Sequence, residues 1–148
     1  MDEKRRLWMK WGIMLVMIGL ITIQTEAYGQ SWNWKLFLKD VDCDFYYDPD
    51  TVTKSPEDIV RVWWKEVFKT KEVLKSRGFT RSEYEKVIYQ INVSEIDCNK
   101  KESRRRFFML CSEEGESILC NIHKRQLDEW VPVWQVRPTG ILYRKLCP

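Results

Sequence analysis

The sequence predicts an α+β fold, a mainly antiparallel β-sheet with a short C-terminal helix packed on it. Three observations predict it. Ile59 to Phe68 alternates, with Val60, Val62, Trp64 and Phe68 on one face and Arg61, Trp63, Lys65 and Lys69 on the other, the period of a half-buried strand. Val87 to Ile96 alternates too, with Val87, Tyr89, Ile91 and Val93 opposite Gln90, Asn92 and Ser94. Near the end, Ile141, Leu142, Tyr143 and Leu146 have the spacing of one helical stripe.

The chain has 148 residues, enough for one domain. Its start reads as a signal peptide over residues 1–29. Lys4, Arg5 and Arg6 form a charged start, Gly12 to Ile23 is an apolar run, and Ala27-Tyr28-Gly29 offers small residues at the two positions a peptidase reads. Cleavage after Gly29 leaves residues 30–148 as a single β domain; an uncleaved anchor is the alternative. The run is short for a bilayer span, so no membrane span is expected after cleavage. Removing the segment takes four of the 25 Lys/Arg and three of the 22 Asp/Glu, leaving a net charge of +2. That is too small to imply nucleic acid.

Ser31 to Leu38 sets Trp32, Trp34, Leu36 and Leu38 against Asn33, Lys35 and Phe37, a half-buried first strand. Lys39 to Asp42 is a turn and Cys43 to Tyr47 a second strand. Asp48-Pro49-Asp50 and Ser55-Pro56 carry turn chemistry, so Phe45 to Lys65 reads as strand, turn, strand. Thr70 to Lys86 is a polar connection with one or two helical turns. Lys71 to Arg77 favours helix, Gly78 can end it, and Thr80 with Glu83 has capping-box spacing. Asn92-Val93-Ser94 matches a glycosylation sequon but lies inside a strand, and reads as chance. The run Lys100-Lys101 to Arg104-Arg105-Arg106 reads as a solvated turn and strand start, with an anionic-ligand patch as the alternative.

Arg104 to Ser112 and Ser117 to His123 form a hairpin around Gly115. A two-residue loop at Gly115-Glu116 brings Cys111 opposite Cys120 at about 4.5 Å between Cα atoms, within disulfide reach. A loop centred one residue earlier pairs Cys111 with Ile118 and removes the bridge. Trp130, Val131, Val133, Trp134 and Val136 around Pro132 then read as extended coil covering an edge or end of the sheet. Thr139 to Leu146 is the terminal helix, tied down by Cys147. The cysteines, Cys43, Cys98, Cys111, Cys120 and Cys147, all follow the signal segment, and export favours disulfides. Their number is odd, so one thiol stays free or pairs with another chain.

Tyr46-Tyr47-Asp48-Pro49, Val60-Arg61-Val62-Trp63 with Lys65, Ile96-Asp97-Cys98, Trp130 before a proline, and Leu142-Tyr143 closing on Cys147 occur in an order that resembles the surface-adhesin protein E-like domain of Gram-negative bacteria. The resemblance runs from about Trp34 to Cys147. It implies an antiparallel sheet with a C-terminal helix, a bridge from Cys98 to Cys147, and a surface role in binding host matrix components.

The sequence carries no enzyme signature. A thiol enzyme needs a base beside a low-pKa cysteine, and His123, the one histidine, falls on the opposite face from Cys111 in the register above. Zinc needs compact ligand spacing, which Cys43, Cys98, Cys111, Cys120 and His123 lack. Asp42, Asp44, Asp48 and Asp50 lack the glycine and final glutamate of a calcium loop and read as turn caps. No cofactor and no metal are therefore expected. Trp63, between Arg61 and Lys65, suits an interface; the competing reading is that the C-terminal segment covers it. The chain reads as an exported, non-enzymatic interaction module of the periplasm or cell surface. Its partner is a protein or host matrix component, and a homodimer is compatible with the odd cysteine. A structural accessory subunit of an envelope assembly is the alternative, with a thiol- or metal-dependent enzyme behind it.

Overall fold

Strands form where apolar and polar residues alternate, and the computed structural model describes them over residues 31–121 and 129–148. The expected signal segment and His123 lie outside the described residues. Asn33–Pro148 is one compact unit. Its strands are β1 (Lys35–Lys39), β2 (Cys43–Tyr47), β3 (Thr53–Lys54), β4 (Ile59–Phe68), β5 (Tyr89–Asp97), β6 (Glu102–Cys111), β7 (Ser117–Asn121) and β8 (Val131–Pro132). They form one sheet in the order β1-β2-β4-β5-β6-β7, with β3 added to β4 and β8 to β6, and every pairing is antiparallel. Among the described residues, two helices, α1 (Lys71–Ser76) and α2 (Arg137–Leu146), complete the α+β fold.

The hydrophobic core lies between α2 and one face of the sheet. Phe45, Tyr47, Val62, Trp64, Ile96 and Leu110 supply the sheet side, Leu142 comes from α2, and Val73 and Leu74 come from α1. The terminal helix thus packs on the Val62–Trp64 face, not on the face of Trp63. The helix itself therefore does not cover Trp63. Pro138 opens α2, where its missing N–H costs nothing. Gly140 lets the helix approach closely, since a Cβ there would lie 2.9 Å from the Val133 carbonyl oxygen. The Cys98–Cys147 disulfide joins the end of α2 to the turn after β5, and Val133 N–H donates to the Lys101 carbonyl of the same turn.

Several local expectations are corrected. Phe37, not Leu36, turns to the core from β1: an irregularity between Leu36 and Leu38 adds one residue, leaving Leu36 44% exposed while Phe37 meets Phe45 and Tyr47. Gly78 ends α1 at φ +87°, as the sequence suggests, but the N-cap position of the next turn is Arg81, not Thr80. The second turn is a 3-10 segment over Ser82–Lys86 without a side-chain cap. The β6–β7 loop is longer than two residues. Ser112 N–H bonds to the Glu116 carbonyl, and its hydroxyl accepts from the Glu116 N–H. The register therefore pairs Cys111 with Ser117 and Met109 with Cys120, so the expected Cys111–Cys120 bridge is absent and both thiols are free.

The bridge closes a sequence separation of 49 residues, and a loop of that size stabilises by roughly 4 kcal/mol in the chain-entropy picture. Replacing Cys98 and Cys147 together by serine should lower unfolding stability by about that amount in urea denaturation. An unchanged midpoint would show that the bridge does not hold α2 down.

Candidate functional site

The face away from α2 carries the predicted interface residues. Arg61, Trp63 and Lys65 follow one another along β4 at period two, opposite Glu95, Val93 and Ile91 of β5. Glu95 organises the charges. Its side chain is 7% exposed and accepts from Arg61 Nη2 at 2.5 Å and from Arg104 Nε at 2.8 Å, with Arg106 at 3.8 Å. Burial pushes the Glu95 carboxyl up, but the hydrogen bonds and charges of Arg61 and Arg104 outweigh it and hold the group below its ordinary value. Arg104 also lies 4.5 Å from the centre of the Trp130 ring. Trp63 is half-buried against Phe107, 6.1 Å between ring centres. The Lys65 ammonium sits among Trp34, Tyr46 and Tyr89 at 5.0–5.5 Å, a cation–π cluster, and burial lowers its proton affinity.

Under α2 the sheet face is unexpectedly polar. Trp64 is paired with Asn92, Val62 with Ser94 and Glu66 with Gln90, so the polar row of β5 lines the core while Ile91 and Val93 face the other way. Trp64 Nε1 donates to Ser94 Oγ at 2.9 Å, and Gln90 Nε2 donates to Asn92 Oδ1 at 2.6 Å. A cavity of about 260 Å³ opens here, bounded by Trp64, Ser94, Arg105, Phe108, Val136 and Thr139 among others. Arg105 thus leaves the solvated run expected for it; an extra residue in β6, between the partners of Val93 and Ser94, turns it to the α2 side.

Several other titratable groups serve the fold. Asp48 is buried, accepts from the Asp50 N–H at 2.9 Å and from the Asn33 N–H at 3.1 Å, and caps the 3-10 turn Pro49–Thr51. Asp44 pairs with Lys69 at 3.2 Å and Asp40 with Arg137. Glu66 pairs with Arg77 at 2.5 Å beneath Cys43. Burial, reinforced by the Glu66 charge, pushes the Cys43 thiol up to about 12. Burial also raises Cys111, whereas Cys120 is exposed. Among the described residues no group of three or more His, Cys, Asp or Glu is placed to hold a metal, and no helix is long and apolar enough to cross a membrane.

Two outcomes follow from these contacts. Glu95→Gln should destabilise the protein by about 1–2 kcal/mol, a modest figure because Arg61 is 55% exposed and screened by water. The Glu95 contribution is complete above the ordinary value of 4.5 and is lost as pH falls through its lower folded value, so the variant should show a shallower loss of stability on acidification. Equal slopes in acid unfolding curves would contradict the assignment. Separately, a thiol reagent at pH 8 should modify Cys120 rapidly in the native protein, with Cys43 and Cys111 reacting only on unfolding; three fast thiols would contradict their burial.

Comparison of the chain with protein-family models, with curated proteins and with solved structures finds no match, so the site is read from the residues of this chain alone.

Proposed function

We propose that the chain is an exported, non-enzymatic interaction module of the bacterial cell envelope that docks a protein or host matrix component on the Arg61–Trp63–Lys65 face. The observation that carries this reading is the ordered cation–aromatic array on that face. Trp and Arg dominate the energetics of protein interfaces, because they bury large area and make directed contacts. Here Trp63 is braced by Phe107 and Arg61 by Glu95, so a partner would meet side chains already immobilised and pay less ordering entropy. The resemblance to the surface-adhesin protein E-like domain and the signal-like start agree with export, to the periplasm or the outer surface.

A second reading, the structural accessory subunit, draws on Cys120. Its thiol is free and exposed on β7, the last strand in the sheet order, and an oxidising compartment would let it link to another chain or to a second copy. A dimer seen only without reductant, and lost on Cys120→Ser, would favour that role.

Trp63→Ala separates docking from structure. Loss of one aromatic pair costs about 1 kcal/mol beyond buried area, so the variant should stay folded while losing the envelope or matrix protein that the immobilised wild type retains. Equal retention by both proteins, or collapse of the fold with retention intact in Arg61→Ala, would overturn the docking face. Protease treatment of intact cells tells surface from periplasm.

A further inference from the structure

Buried donors require acceptors, and the cavity under α2 has donors left over. Ser94 is 1% exposed, and its oxygen accepts from Trp64 Nε1. The Ser94 hydroxyl proton meets no acceptor among the described residues. Two positions along the same face of β5, Asn92 is fully buried; its oxygen is taken by Gln90, and its Nδ2 has no partner. Across the ladder from Ser94 stands Arg105. Its guanidinium lies 5.8 Å from the centre of the Phe108 ring and makes no hydrogen bond or ion pair among the described residues. Burial lowers its proton affinity, with the Glu66 charge acting in the opposite direction.

The other polar groups nearby do not answer these donors: Glu129, an exposed carboxylate on the cavity lining, makes no hydrogen bond or ion pair with Arg105. Ser103 donates to Thr139 Oγ1 at 3.2 Å, and Thr139 donates to the Val136 carbonyl at 2.9 Å, so both hydroxyl protons are committed. Glu66 is held by Arg77, and Glu95 by Arg61 and Arg104 on the other face. A guanidinium partly withdrawn from water without a directly bonded counter-charge is costly, and that cost is recovered when an anion bonds to it. A guanidinium fork matches two carboxylate oxygens. The walls beside it are apolar, from Phe108, Val131 and Val136. The volume of about 260 Å³ falls below the roughly 300 Å³ at which drug-sized pockets begin, which limits the occupant to a small molecule.

We propose that this cavity binds a small organic carboxylate, its oxygens held by the Arg105 guanidinium and the Ser94 hydroxyl and its apolar body against Phe108, Val131 and Val136. The site is independent of the docking face, which lies on the opposite side of the sheet, and it stands or falls separately from the envelope reading.

Benzoate is the probe. Titrated into the full-length protein, it should shift the Trp64 indole N–H resonance saturably, because that N–H bonds to the hydroxyl that would receive the ligand. Arg105→Gln should weaken benzoate by about tenfold or more, the effect of losing hydrogen bonds from a charged group. Acetate, which lacks the apolar body, and inorganic phosphate, which has the wrong shape and hydration, should bind at least about tenfold more weakly than benzoate on the same scale. No saturable shift overturns the proposal, as does phosphate binding as tightly as benzoate, or unchanged affinity in Arg105→Gln. Should Arg105→Gln fail to fold, Ser94→Ala replaces it: weakened benzoate binding supports the site, and unchanged binding overturns it.

Discussion

A strand buried on both faces must satisfy every polar group it carries, and β5 sits under that constraint along its whole length. From Gln90 to Asp97 every residue is buried. Its backbone is satisfied by β4 on one side and β6 on the other, which requires it to be central. Its side chains then divide the molecule. Tyr89, Ile91, Val93 and Glu95 share a face with the Arg61–Trp63–Lys65 array, while Gln90, Asn92 and Ser94 share one with Trp64 and α2. The Trp64–Ser94 hydrogen bond lets a large indole fill the core without an orphaned N–H, and it fixes the floor of the cavity.

The second determinant is the attachment of α2. A ten-residue helix is marginal alone, and it holds its position through contacts of different kinds. Leu142 buries its side chain, Arg137 pairs with Asp40 at the β1–β2 turn, and Cys147 is bonded to Cys98. The turn that receives the bridge is itself rigid: Asp97 accepts from the Asn99 and Lys100 N–H groups, and Lys101 takes a left-handed conformation at φ 58°. The cavity roof is therefore anchored at both ends of the helix.

Much of this was legible in the residues. The alternation from Ile59 to Phe68 gives β4 its bounds and its faces, and the Asp-Pro and Gly78 signals mark the breaks. The stripe of Leu142 and Tyr143 identifies the terminal helix. Alternation in β5 separates two faces but does not say which one the helix covers, since that depends on what β4 and β6 place beside it. The irregularities in β1 and β6 escape any period-two reading, because one inserted residue exchanges the faces beyond it. Phe37 and Arg105 were misplaced for that reason, and Cys111 was matched to the wrong partner because loop length sets hairpin register. Glu95 as a hub for Arg61, Arg104 and Arg106 joins residues from three strands' worth of sequence, with nothing local to announce it.

The irregularity in β1 also bears on self-association. Among the described residues β1 ends the strand order, and an outermost strand with even spacing is a template for cross-strand polymerisation. Here the ladder is interrupted at Phe37, and Lys35 and Lys39 flank the exposed Leu36 at the two ends of the strand. An incoming strand would lose register midway and meet a positive charge at either side. The same extra residue that turns Phe37 inward thus protects the sheet from fibrillar growth at this margin.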